Sequence, residues 1–501
     1  MTFIKQIPLW IWVVAGFLLL NAFTYDWYTT VWMDEAMFAD PAANLYYGHG
    51  FTSTAWATQH YHEFWAGNTP LYSFLLFLWF KCVGFGIFQV RFFDYLLWSG
   101  TVLLICLTVR RLDFVRQPLL LAALAAFVFS GNGIFFSYRS GRYDSLICLV
   151  ASLCFFAFSI PKPLPRYCAL VLSASLFLPT ALILGPFVAI LGALVFLVLG
   201  RRVFLQLCCV ALGLAIGLGL LRLYYGGLGL WQTFRHAADF LSQIYYGQDS
   251  AIPVWEQKIM AYPGRVFHDS TADLLLVCLC AVAAIGWKKL DNVGRSAALL
   301  GIGVFFIIPA VSLAAYSYQI YHYWQVYLPL AICLATAVTH GNGLFTPSTQ
   351  RVVVGATVIV IFCLGPGMRL GLASTDLRER SYSHVESLVR ENVKSSDIVY
   401  ADYQAFYPLH QVGALTYYSW YLDVITKPEE DSIDCLVINP DMLPGIQKVL
   451  GGQWQPVGPA YLHENKFHSR LLNRLFPGYF QPQTNKKYNL EVYRRIAADK
   501  K

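Results

Sequence analysis

The chain has 501 residues, of which 57% are hydrophobic, 16% aromatic and only 13% charged. Its mean hydropathy is +0.50, too apolar for a soluble globular protein, and the sequence reads as a polytopic α-helical membrane protein. A formal charge of +7 would suit an anionic polymer, but in a membrane protein excess Lys and Arg marks the cytoplasmic loops. No nucleic-acid partner is expected.

At the N-terminus Lys5 precedes an apolar run from Ile7 to Leu20, and Asn21-Ala22-Phe23 offers no small-x-small cleavage site, so an uncleaved first span is expected. Further hydrophobic runs lie near 91–109, 118–136, 145–160, 167–182, 183–200, 203–221, 273–287, 296–314, 325–340 and 351–367. With the first, near 8–24, they predict about eleven transmembrane helices. Pro70 to Phe80 is apolar but short, which fits an interfacial or re-entrant segment.

That choice sets the sidedness of every later loop. With the N-terminus in the cytoplasm, inner loops carry Lys5, Arg110, Arg111, Arg116, Lys162, Arg166, Arg201, Arg202, Lys288, Lys289, Arg295 and Arg351, against Asp113 and Asp291. The outer loops are acidic on balance, as positive-inside orientation requires. Three outer segments follow: 25–90, 222–272 and the tail after 368. Residues 1–367 are expected to form the membrane domain and 368–501 a small extracytoplasmic α/β domain. The tail pattern is amphipathic at 383–393 and strand-like at Asp397–Tyr400, Cys435–Ile438 and around Tyr488–Tyr493. Ten of the twelve cysteines lie in predicted spans, so neither a disulfide framework nor a CxxC metal site is indicated.

Asp34-Glu35 places two adjacent carboxylates just after the first hydrophobic helix. Paired carboxylates there suit chemistry at the membrane face more than a pathway through it. A lipid or solute transporter, the main alternative class, tends to carry ionisable or broken-helix sites near mid-membrane. Apart from Asp94, near an outer end, the predicted spans hold no ionisable residue between their termini.

Met33-Asp34-Glu35-Ala36-Met37-Phe38-Ala39-Asp40 continues into Asn44-Leu45-Tyr46-Tyr47-Gly48-His49-Gly50, followed by Asn68-Thr69-Pro70-Leu71-Tyr72 and Val90-Arg91. This order resembles the first loop of the GT-C glycosyltransferases related to protein O-mannosyltransferases and the lipid A aminoarabinose transferase. Gly141-Arg142-Tyr143-Asp144-Ser145-Leu146 is similar to that family's Gly-Arg-x-Asp-Ala-Leu motif, and Tyr321-His322-Tyr323 before Pro329 to its last outer loop. The resemblance spans roughly residues 7–340. Where the aminoarabinose transferase has a Glu-Lys pair this sequence has Gly67-Asn68-Thr69, and Leu178-Pro179-Thr180 stands where relatives often place a lysine.

The resemblance implies an inverting transfer of a sugar from a polyprenyl-phosphate donor to an acceptor hydroxyl on a lipid, glycan or protein. Such an enzyme would sit in the bacterial inner membrane with its site facing the periplasm or cell exterior. A glycan polymerase or ligase using a lipid pyrophosphate donor is the nearest alternative. Such a displacement needs a carboxylate to take the acceptor's proton and cationic groups to stabilise the departing phosphate.

Asp34 is either that base or the N-cap of the helix that follows. Glu35, about 100° round the helix, suits orienting a neighbour or a metal. Asp144 either pairs with Arg139 or Arg142 or positions the acceptor or a divalent cation. Arg139 and Arg142 are candidate phosphate contacts. Tyr321, His322 and Tyr323 are belt residues or phosphate ligands, and Arg265 is a further phosphate candidate. His60, His62 and Glu63 carry metal-ligand types, but alternating residues share a face only in extended structure.

Overall fold

The computed structural model describes residues 7–243, 253–315, 318–341, 343–375, 377–461 and 487–496. Its helices begin with α1 (Leu9–Phe23), α2 (Met33–Tyr47), α3 (Leu71–Val83), α4 (Ile87–Arg111), α5 (Pro118–Ser130), α6 (Asn132–Arg139), α7 (Asp144–Phe158), α8 (Pro163–Ser175) and α9 (Phe177–Thr180). They continue with α10 (Leu184–Leu199), α11 (Phe204–Gly227), α12 (Trp231–Gln243), α13 (Val254–Val266), α14 (Ser270–Gly286), α15 (Asn292–Ala315), α16 (Trp324–Thr339), α17 (Pro347–Phe362) and α18 (Met368–Ser374).

Each of the eleven hydrophobic runs falls on helix. Ile87–Arg111, Leu184–Gly227, Asn292–Ala314 and Pro347–Ser374 are long and apolar enough to cross a membrane. Two further spans result if each of two bent pairs, α5 with α6 and α13 with α14, counts as one. The protein is a membrane protein. In the bundle, α4 packs on α7, α8 on α11, α10 on α15, α15 on α16, and α1 against α4 and α5.

The run near 118–136 is broken, with α5 and α6 meeting at 64°. Gly131 stands at the break and lets Tyr327 pack against it, because a β-carbon there would stand 2.7 Å from the Tyr327 ring. The new N-terminus of α6 leaves backbone N–H groups without helical partners. A second bend, 72° between α13 and α14, supplies acceptors for them. Asn132 N–H donates to Thr271 Oγ1 at 2.9 Å and Gly133 N–H to Asp269 Oδ2 at 2.8 Å. Asp269 also caps α14 through the Thr271 and Ala272 N–H groups. The two breaks therefore brace each other and fix the turn after α6.

The tail folds as α19 (Leu377–Arg380), α20 (Ser383–Asn392), β1 (Ile398–Ala401), α21 (Phe406–Val412), β2 (Leu415–Tyr418), α22 (Lys427–Ser432), β3 (Cys435–Ile438), α23 (Leu443–Leu450), β4 (Trp454–Tyr461) and β5 (Leu490–Arg495). The sheet order is β2-β1-β3-β5-β4. β1 runs parallel to β2 and β3, with Val399 opposite Cys435, whereas β5 is antiparallel to β3 and β4. One sheet face, with Val399, Ala401 and Val437, joins the core of the helical bundle. The other, with Tyr400, Leu436, Ile438 and Tyr493, carries a smaller core of its own.

Candidate active site

α2 starts at Met33, with Trp32 in the N-cap position and no side-chain cap bond. Asp34 therefore lies inside the first turn, and its side chain is free of the capping role. Its Oδ2 instead pairs with Arg142 Nη1, from the turn between α6 and α7. The same guanidinium donates through Nε to Asp144 Oδ2 at 2.7 Å, and Trp324 Nε1 donates to Asp144 Oδ1 at 3.0 Å. Tyr321 presents its ring 3.6 Å from the guanidinium carbon, a cation–π contact that compensates part of the desolvation of a buried arginine.

Burial separates the two carboxylates on Arg142. The Asp144 side chain is 1% exposed and that of Asp34 is 12%. Asp34 is thus the member of the pair a second reactant can reach.

Glu35 has a separate set of partners. Arg91 grips it through Nε and Nη2, at 2.9 and 2.7 Å, and Tyr407 Oη donates to its Oε1 at 2.9 Å. All of this is fully buried, a bidentate pair that fixes geometry. Arg91 also donates to the carbonyls of Tyr25 and Thr29, so Glu35 anchors the first loop. Asp40, one turn further along α2, accepts from Ser53 Oγ at 2.5 Å and Thr54 N–H at 2.9 Å, and lies 2.9 Å from His410 Nε2.

The phosphate candidates divide. Arg139 is buried, donating to Tyr28 O at 2.7 Å, Asn21 Oδ1 at 2.6 Å, Thr24 Oγ1 at 3.1 Å and Thr24 O. These contacts tie α6 to the end of α1, which is a structural task. Arg265 is half-buried, donates to Gln319 Oε1 at 2.8 Å and accepts the Tyr323 hydroxyl at its carbonyl. His322, buried, takes the Gln319 N–H on Nδ1. Arg265, His322 and Tyr323 thus share one patch, linked to the Arg142 site through Tyr321, whose ring lies 4.6 Å from that of His322.

The expected metal candidates do not converge. His60 Nδ1 lies 3.2 Å from the Tyr421 hydroxyl and 3.8 Å from Glu429, while His62 and Glu63 are exposed. Among the described residues no three His, Cys, Asp or Glu side chains are grouped to hold a metal ion. Between Asp34 and Asp144 the cation is Arg142.

Arg91, Trp324, Tyr407 and His410 were not among the expected site residues. Arg91 carried a signal, because a cation at the edge of an apolar run, three residues before Asp94, favours a carboxylate partner.

Helices broken beside the site, a carboxylate-bearing helix in the first long loop and a small sheet domain against it make up a fold that solved membrane glycosyltransferases of the GT-C class share. Among solved structures the chain is similar to ArnT from Cupriavidus metallidurans bound to undecaprenyl phosphate, with a TM-score of 0.63 and 11% identity over 98% of each chain. The apo state of the same protein matches equally, over 97% of this chain and 98% of that one. Arabinofuranosyltransferase AftD from Mycobacteria matches at a TM-score of 0.48 and 13% identity, over 97% of this chain and 40% of that one. No protein-family profile matches the sequence, and a search of curated proteins finds no match.

Proposed function

We propose that the protein is an inverting glycosyltransferase that moves a sugar from a polyprenyl-phosphate donor to an acceptor hydroxyl at the outer face of a bacterial inner membrane. Asp34 carries the reading: it is the partly accessible carboxylate of a buried Asp34–Arg142–Asp144 cluster. Support comes from a fold shared end to end with a protein solved with undecaprenyl phosphate.

In a single displacement Asp34 takes the acceptor's proton as that oxygen bonds to the anomeric carbon, and the sugar–phosphate bond breaks on the opposite face. The polyprenyl phosphate departs with the bonding pair. Arg142, or Arg265 with His322, neutralises its charge, since guanidinium groups hold phosphate in planar, bidentate fashion. Asp144, fixed by Trp324, keeps Arg142 aimed at Asp34.

The test uses purified protein, a panel of undecaprenyl-phosphate-linked pentoses and hexoses, and an envelope lipid extract as acceptor source, with released undecaprenyl phosphate measured. Release from at least one donor, slowed about 10²–10⁴-fold by Asp34→Asn, is expected. No release from any donor, with no binding of undecaprenyl phosphate, would overturn the assignment.

A further inference from the structure

We propose that the C-terminal sheet domain positions the Asp34 helix, with Tyr407 and His410 as the positioning residues, an inference that rests on the transferase reading. Tyr407 Oη donates to Glu35 Oε1 at 2.9 Å. One turn along α21, His410 Nε2 stands 2.9 Å from Asp40 Oδ1. Glu35 adjoins Asp34 in the chain, and Asp40 lies six residues further, about 9 Å along the helix axis. One short helix of the tail therefore grips α2 at two carboxylates, beginning beside the base.

Both carboxylates are 0% exposed. A buried carboxylate stays where its donors are, because withdrawing one leaves charge uncompensated in a poor dielectric. The same domain holds the chain on either side of α2. Val31 N–H donates to Tyr488 Oη at 3.1 Å, Tyr403 Oη to Ala55 O at 3.2 Å and Tyr418 N–H to Thr54 O at 3.4 Å. α2 itself has no side-chain cap at its N-terminus and ends on the left-handed Gly48. Its placement is set from outside, by Arg91, the first loop and the sheet domain.

Asp34 takes its ion pair from Arg142, so the domain acts on it through the helix. Displacing α2 should slow the chemical step and spare donor binding, because a misplacement of about 1 Å at a base costs on the order of 10²-fold in rate.

Tyr407→Phe keeps the ring and removes the donor; His410→Ala removes the second donor, and His410→Gln restores one. Three readings are taken on the full chain: release of undecaprenyl phosphate from the panel donor it accepts, Kd for undecaprenyl phosphate, and hydrogen exchange of residues 33–47. The Tyr407→Phe/His410→Ala protein should release about 10- to 10²-fold more slowly, with Kd changed less than twofold and faster exchange in α2. Tyr407→Phe/His410→Gln should recover part of the rate. In an Asp34→Asn background the double change should cost nothing further, the non-additivity of groups acting as one unit. Unchanged release, an equal loss of phosphate affinity, or full additivity with Asp34→Asn would overturn the proposal. Should the double variant not fold, the single Tyr407→Phe protein decides on the same readings. If Asp34→Asn leaves release intact, the base assignment fails, and exchange in α2 alone decides whether the domain holds the helix.

Discussion

Gly141 lies against Glu35 so closely that a β-carbon added there would stand 2.5 Å from Glu35 Cγ. Glu35 cannot retreat, because Arg91 holds both of its oxygens, and Gly141 itself has a φ of +63°, in the left-handed region. Gly141→Ala combines overpacking with backbone strain, which together should cost about 1–3 kcal/mol or more. A lowered thermal midpoint in detergent, with slower release of undecaprenyl phosphate because Arg142 follows directly, is the expected result.

The adjacent carboxylates should respond in opposite ways. Asp34→Asn should leave the protein folded and able to bind undecaprenyl phosphate while turnover falls about 10²–10⁴-fold, as expected for loss of a general base. Glu35→Gln strands Arg91 without its counter-charge and should cost about 3–5 kcal/mol of stability. Thermal unfolding and turnover measured side by side distinguish them. A stable, inactive Glu35→Gln protein beside an active Asp34→Asn protein would reverse the assignment.

Three arginines separate by their surroundings. Arg139→Gln should weaken folding, since its donors serve Asn21, Thr24 and Tyr28. Either Arg142→Gln or Arg265→Gln should weaken undecaprenyl-phosphate binding by roughly 10- to 150-fold, the worth of one charge-assisted contact of about 1.5–3 kcal/mol. Equilibrium binding to each folded variant gives the answer, and losses under twofold for both would move the phosphate site elsewhere.

Sidedness can be read chemically. In a background freed of reactive thiols, cysteines at the exposed positions 434 and 441 should react with an impermeant reagent added outside the cell. Ones at 113 and 289, also exposed, should stay unlabelled. The opposite pattern would invert the proposed topology.

Acid should loosen the sheet domain through Asp397. Burial pushes its carboxyl up, but Arg494 at 2.7 Å and the Lys394 N–H at 2.6 Å outweigh that and hold it below the ordinary carboxylate value. A lowered folded pKa stabilises fully above the unfolded value of about 3.9 and loses that contribution as pH falls through the folded value. An acid titration followed at Trp454 should therefore show less stability for Asp397→Asn than for the parent at pH 7. The difference should close below about pH 4; a gap that persists there would contradict the linkage.

Much of the bundle was legible because burial in lipid requires apolar runs, and every such run proved helical. The tail strands at Cys435–Ile438 and near 398–401 and 490–495 also stood out as apolar stretches. β2, Leu-Thr-Tyr-Tyr, and β4 did not, the first a short edge strand and the second interrupted by prolines and a glycine. Asp34, Arg142 and Asp144 were each visible as charges among apolar neighbours, and the fold joins the three. Pairings across the chain were invisible: Trp324 meets Asp144 from 180 residues away and His410 meets Asp40 from 370. No local pattern encodes a partner so remote. The breaks at Gly131 and Asp269 were hidden for a related reason, since the N–H donors freed at the first find their acceptors at the second.

The grip of Tyr407 on Glu35, 372 residues away in sequence, has a consequence for biogenesis. At roughly 5–20 residues per second, α2 leaves the ribosome about 20–70 s before the tyrosine that completes its surroundings. Until then Tyr407 is missing from Glu35 and His410 from Asp40, and Arg91 is the one partner of Glu35 already made. Assembly of the site is thus among the last events of synthesis, and a chain arrested before residue 410 would hold most of its helices yet lack a finished centre.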